Sequence, residues 1–197
     1  MALNVVSLKC PSCGAGITTE QKECEYCGAA TIISSFSMAD TLPPLAVNKH
    51  IASYREALSQ EPDNREINTS VGMCFLKLRQ YDHALAAFEK CMEFNFDNPD
   101  VFFCAAVCLL KGKMPFLHQR PTIDKILSYM ESAMMIESKG IYYYFLAYIK
   151  YDYFKRKFLN TTPDYTQCLA QARAAGVSDY DIQQLYAMTG TQRPSCL

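Results

Sequence analysis

The feature that most constrains this chain is a spacing. His50, Tyr54, Ala57 and Pro62 recur 34 residues later as Ala84, Phe88, Cys91 and Phe96. Asn68, Val71, Gly72 and Phe75 recur at the same distance as Phe102, Ala105, Ala106 and Leu109. A small and aromatic pattern repeating at that length describes a pair of helices that stacks on copies of itself. Small residues such as Gly72 and Ala84 let the two helices of a pair approach closely, and the aromatics fill the gaps between pairs. Further on the period lengthens to 42: Cys91 maps to Ala133, Phe102 to Tyr144, Ala105 to Ala147, Leu109 to Tyr151, and Ala133 to Ala175. The later units therefore carry extra residues, placed at 111–122, with Gly112, Pro115 and Pro121, and at 151–163. The pattern predicts helices at 45–60, 65–78, 81–95, 99–112, 122–137, 140–158, 163–175 and 179–188. Ser178 caps the last of these and Gly190 follows it.

The unit 65–98 resembles a tetratricopeptide (TPR) repeat, with Asn68 in the Trp slot, Val71-Gly72 for Leu-Gly and Phe75 for the aromatic. Ala84, Phe88 and Cys91 supply the stripe of the second helix, and Phe96 stands where the family has Pro. The likeness covers about 50–176. It implies a mainly α solenoid of about 3.5 helical hairpins plus a capping helix. It also implies a concave face lined by the first helices, which in the family binds peptides. That face takes Thr69, Met73 and Leu76 from one unit, Phe103, Val107 and Leu110 from the next, and Tyr142, Phe145 and Ile149 from the last. The family's carboxylate clamp of Lys and Asn is missing, because its positions hold Thr69, Met73, Cys104 and Leu146. An apolar groove of this kind is rarely left bare. It binds a protein partner, is buried between protomers of a homo-oligomer, or is filled by the chain's own linker, terminal helix or N-terminal module. The run Tyr142-Tyr143-Tyr144-Phe145 is apolar all round its helix, which calls for cover on more than one side.

The N-terminal region obeys different rules. Cys10-Pro-Ser-Cys13-Gly14 and Cys24-Glu-Tyr-Cys27-Gly28 are two matching turns. A CxxC turn aims two thiolates at one ion, and two such turns complete a tetrahedron. Gly14 and Gly28 allow positive φ after each turn, so that backbone N–H groups can face the sulfurs. The short β-prone pieces 17–19 and 31–33 complete a module too small for a core of its own, so a metal must supply its folding energy. The pattern resembles a short four-cysteine zinc ribbon; iron fits the same turns. With all four ligands spent, one zinc here is structural. The expected division is a ribbon at 1–35, a linker at 36–44 ending in Pro43-Pro44, and the helical repeat at 45–197.

The chain has 197 residues, ten cysteines and a formal net charge of −1. The remaining cysteines read as packing residues at Cys74, Cys91, Cys104, Cys108 and Cys168, with Cys196 on a tail. No secretory leader and no apolar run of about 20 residues is present, which predicts a cytoplasmic protein without a membrane association. The near-zero charge argues against a general binder of nucleic acid or membrane surfaces. The three histidines are far apart and none is ordered with a nucleophile, so the expectation is a non-enzymatic interaction scaffold. The alternative is a nucleic-acid-associated adaptor using the ribbon and a basic patch of Lys155-Arg156-Lys157 with Lys111, Lys113, His118 and Arg120. Two basic residues against four acidic ones in the ribbon disfavour phosphate contact.

Overall fold

The computed structural model describes residues 5–94 and 97–197. Phe96, the residue in the family's Pro slot, lies outside them, as does the last residue of the helix expected at 81–95. The chain opens with an antiparallel hairpin of β1 (Ser7–Lys9) and β2 (Gly16–Thr18), with Leu8 opposite Ile17. Nine α-helices follow among the described residues: α1 (Phe36–Thr41), α2 (Pro44–Leu58), α3 (Arg65–Lys77), α4 (Tyr81–Phe94), α5 (Pro99–Cys108), α6 (Arg120–Ile136), α7 (Gly140–Ile149), α8 (Tyr165–Ala174) and α9 (Asp179–Thr189). The protein is a mainly α helical-repeat solenoid with a small N-terminal β element.

Local chemistry explains most boundaries. The Asn64 side chain accepts from the Ile67 N–H at 3.0 Å and starts α3. Asn98 starts α5 in the same way through Asp100 N–H, with Pro99 at the first helical position. Asp164 and Ser178 close reciprocal capping boxes on α8 and α9. Gly190 ends α9 at φ 66°. The helix expected at 140–158 is continuous in course but not in geometry. After Ile149 it widens into a π-turn over Lys150–Phe154, tightens into a 3₁₀ turn over Lys155–Lys157, and ends on Phe158 at φ 56°. The extra residues of that unit are thus absorbed partly inside the helix. Two elements carry no sequence signal of this kind: β1, and the helix α1 inside the expected linker. The piece 31–33 is buried but forms no strand of the hairpin.

The chain forms two compact units, Met1–Asn95 and Phe96–Leu197. In the first, α2, α3 and α4 pack in succession and α1 lies on α3. Gly72 is where α3 and α4 come closest: a Cβ there would stand 2.5 Å from the buried Phe88 ring. Asn68, in the Trp slot, is buried and donates to the carbonyls of Pro62 at 2.9 Å and Asn64 at 2.8 Å, tying the α2–α3 connection to its own helix. In the second unit α5 packs on α6, α7 on α8, and α9 lies across α7 and α5. Its core is aromatic: Phe103 meets Tyr142 and Phe145, and Tyr186 of α9 meets Tyr144 and Tyr148 edge-on. Cys74, Cys91, Cys104, Cys108 and Cys168 are buried in helices, and Cys196 is exposed. No helix among the described residues is long and apolar enough to cross a membrane.

Candidate metal centre

The two CxxC turns are built alike. In the first, Gly14 N–H donates to the Cys10 carbonyl at 2.9 Å and Cys10 N–H to the Ala15 carbonyl at 2.8 Å. In the second, Gly28 N–H donates to Cys24 at 2.8 Å and Cys24 N–H to Ala29 at 2.8 Å. Gly14 and Gly28 take φ of 78° and 69°, a conformation that a side chain would strain. The glycines close the turns, while the N–H groups that reach sulfur belong to their neighbours: Ser12 and Cys13 for Cys10, and Ala15 for Cys13.

The turns bring Cys10, Cys13, Cys24 and Cys27 together, with all four sulfurs within 4.8 Å of one another. Cys10 and Cys27 sulfurs lie 3.6 Å apart, and those of Cys13 and Cys24 3.7 Å. A tetrahedron with metal–sulfur bonds of about 2.3 Å has edges of about 3.8 Å. The cluster therefore fits one tetrahedral ion, and its sulfurs are too far apart for disulfides. Cys10 and Cys24 are buried and Cys13 and Cys27 exposed, so the site opens on one side only. Electrostatics agree with a need for a cation. Burial raises the Cys10 thiol, but backbone N–H groups and its neighbours outweigh this and bring it to about 6. The Ala15 N–H favours the Cys13 thiolate, yet burial and the crowding of Cys10, Cys27 and Cys24 raise that thiol to about 12. Four thiols in this space cannot all ionise without a central positive charge.

The centre is seated on α2. Tyr54, fully buried, donates its hydroxyl to the Thr31 carbonyl at 2.8 Å and accepts from the Ile33 N–H at 3.1 Å. Ser53 Oγ donates to the Lys9 carbonyl at 2.5 Å, and Lys9 Nζ meets Glu56 at 2.6 Å. Residues 9, 31 and 33 of the N-terminal segment are thus all tied to α2. His50 stands 3.3 Å from the Tyr54 hydroxyl, and its burial pushes the imidazole down to about 4. It is a neutral packing residue.

The nine residues assigned to the concave face are little exposed. Met73, Leu76, Phe103, Val107, Leu110, Tyr142, Phe145 and Ile149 are all buried, and only Thr69 is half-buried. These residues are thus covered within the chain. In the first unit α1 lies on α3, where Lys77 Nζ binds both the carbonyl and the carboxylate of Asp40, at 2.9 and 2.5 Å. In the second, α9 covers α7 and α5. The physical reason is the one that makes bare grooves rare: aromatic surface left in water costs more than ordering a short helix over it. Of the basic residues at 111–120 and 155–157, Lys157 reaches the His118 carbonyl at 3.4 Å, while Arg120 pairs with Asp124 at 2.7 Å.

No family model matches the sequence, and no curated protein matches it. Among solved structures the chain is similar to MamA MSR-1, with a TM-score of 0.51 and 18% identity over 72% of this chain and 76% of that one. MamA AMB-1 aligns with a TM-score of 0.48 and 19% identity, covering 76% and 78%. At this identity the first likeness bears on the fold alone, and it supports a TPR-like helical solenoid.

Proposed function

We propose that this protein is a non-enzymatic interaction scaffold in which one structural zinc ion, held by Cys10, Cys13, Cys24 and Cys27, locks an N-terminal ribbon at about 1–35 onto a TPR-like repeat. The observation that carries the reading is the closed four-thiol cluster seated on α2 through Tyr54. When bound, zinc would supply a cross-link of four thiolates and the neutralising charge they need, with no ligand position left for substrate. The chain's own residues do the rest. Ser12, Cys13 and Ala15 orient the thiolates through backbone N–H groups, and Thr31 and Ile33 transmit the ribbon's rigidity to α2. The division into ribbon, connection at 36–44 and repeat at 45–197 belongs to the same reading. Within it α1 serves as a short plug over α3.

The likeness to a helical-repeat solenoid supports a scaffold that holds a protein partner or a second copy of itself. Elemental analysis of the purified protein is expected to find one zinc per chain; iron in its place, or no metal in a folded ribbon, would reject the metal assignment. Affinity capture followed by binding of the purified partner tests the scaffold. The expected result is a stoichiometric protein partner. A small molecule turned over by the pure protein would count decisively against it.

A further inference from the structure

The second compact unit carries a surface that the scaffold reading does not use. Two segments meet there, 111–120 and 150–159. The Phe116 N–H donates to buried Asp152 at 2.7 Å. The Phe116 ring lies under Arg156, 4.5 Å from its guanidinium carbon, and under Lys157 at 5.0 Å. Lys157 also sits 3.9 Å above the Tyr153 ring and reaches the His118 carbonyl at 3.4 Å. Asp152, paired with Arg156, is the internal counter-charge that lets these cations gather. Burial holds the His118 imidazole below its ordinary range. A hydrogen bond to the Leu110 carbonyl opposes this, and the charges of Lys113, Lys111 and Lys157 add to it.

Around this cluster the apolar side chains point the wrong way for a core. Phe158 is 94% exposed and Leu117 62%, and Leu159 and Met114 are exposed as well. Phe158 does this at φ 56°, a left-handed conformation that is unfavourable for a bulky residue. The charge is as uneven as the hydrophobicity. Residues 111–120 and 150–159 hold seven of the chain's 19 basic residues and one of its 20 acidic ones, the buried Asp152, leaving 12 against 19 elsewhere. The net charge of −1 hides a local surplus of positive charge beside exposed Phe, Leu and Met. Lys113 and Lys155 are exposed, while Arg120 is engaged with Asp124 at 2.7 Å.

We propose that this tip docks on an anionic lipid bilayer surface, with Phe158, Leu117 and their aliphatic neighbours entering the interface and the lysines meeting the headgroups. The pairing of the two features selects this occupant. Lysines near an anionic leaflet are attracted within a Debye length, and apolar tips beside them gain by leaving water. A nucleic acid would use the cations but has nothing to stack on Leu117, Leu159 or Met114, which have no π-face.

The test uses the full chain and sedimentation with vesicles. One set is phosphatidylcholine alone, and the other contains about 30% phosphatidylserine to give an anionic surface. Binding to the anionic vesicles only, weakened by added salt, is expected. Phe158→Asn with Leu117→Gln should weaken binding by about tenfold or more, since it removes two exposed apolar groups that would enter the bilayer interface. Asn keeps the left-handed backbone, so circular dichroism should be unchanged. Leu159→Gln is a second apolar variant, should the first unfold. Lys113→Glu with Lys155→Glu should abolish binding. No sedimentation with anionic vesicles at about 0.1 M salt, or undiminished binding by the variants, would overturn the proposal. Tight binding of a single-stranded oligonucleotide without vesicle binding would overturn it in favour of a nucleic-acid surface.

Discussion

The two compact units face the same problem and solve it with different chemistry. Each is a short stack of helices, and the end and inner face of such a stack must be covered. The first unit, Met1–Asn95, covers its end with a ribbon gathered around four thiols and its inner face with α1. The second, Phe96–Leu197, covers α5 and α7 with α9 and locks it by edge-on contacts of Tyr186 with Tyr144 and Tyr148. The difference teaches where stability comes from when apolar area is short. On the proposed reading an N-terminal segment with few core residues, such as Val6, Leu8 and Ile17, would rely on coordination, whereas a helix with Ile182, Leu185 and Met188 buried can rely on packing.

The sharpest way to break this comparison is to remove the metal. Chelation, or Cys10→Ser, should abolish protection from hydrogen exchange over 5–35, because a structural zinc site of this type supplies on the order of 10 kcal/mol of folding energy. Loss should extend into α2, since Tyr54 then loses Thr31 and Ile33, while α5 to α9 keep their protection. Equal loss in both units would show that they do not differ in this way.

Next come the two glycines at close approaches. A Cβ on Gly140 would meet backbone, 2.5 Å from the Val177 nitrogen and 3.0 Å from the Ala172 oxygen. On Gly72 it would meet the Phe88 ring at 2.5 Å, a side chain. Gly140→Ala should cost about 3 kcal/mol or more and Gly72→Ala about 1–3 kcal/mol, because a ring can shift by some tenths of an ångström and backbone cannot. Denaturant midpoints measured for each variant decide the order, and a larger cost at Gly72 would reverse the ranking.

Smaller again is the seat of the ribbon. Tyr54→Phe leaves the Thr31 carbonyl and the Ile33 N–H without their partner and should destabilise the first unit by about 2 kcal/mol. An effect under about 0.5 kcal/mol would show that the seat is held by packing alone.

A last effect is one of pH. His50 is pushed by burial from 6.5 to about 4 in the folded chain. Below 6.5 the unfolded chain takes up this proton first, so the stability present above pH 6.5 falls as the pH drops toward 4. His50→Gln should flatten that slope in the first unit and leave the second unchanged. A slope equal to that of the unaltered protein would remove His50 as its source.

The helices were legible because their signals are local. Asn64, Asn98, Asp164 and Ser178 act within three residues of themselves, and the stripe of Ala84, Phe88 and Cys91 repeats at a fixed distance. The meeting of the four cysteines was legible for the same reason, since each turn sets its own pair. What the sequence hid was long-range. Ser7–Lys9 has no strand signature of its own and becomes β1 only by pairing with Gly16–Thr18. The segment 36–41 reads as a connection and becomes a helix on α3, with Lys77 binding Asp40. Eight of the nine residues assigned to the concave face lie in α3, α5 and α7 and Leu110 in the turn after α5, where the expected helix 99–112 ends early at Cys108, and their exposure depended on which other segment would lie over them.

By itself the sequence determined the helical period, the caps and the paired thiol turns, because turn chemistry and packing periodicity are properties of neighbours along the chain. Only the tertiary structure decided that the segment of Thr31 and Ile33 sits on Tyr54, that α1 lies on α3 and α9 on α7 and α5, and that Lys157 reaches the Phe116 ring and the His118 carbonyl. Those outcomes are set by contacts between residues tens of positions apart. Burial of apolar area and the pairing of buried polar groups choose among such contacts, and no short-range pattern encodes that choice.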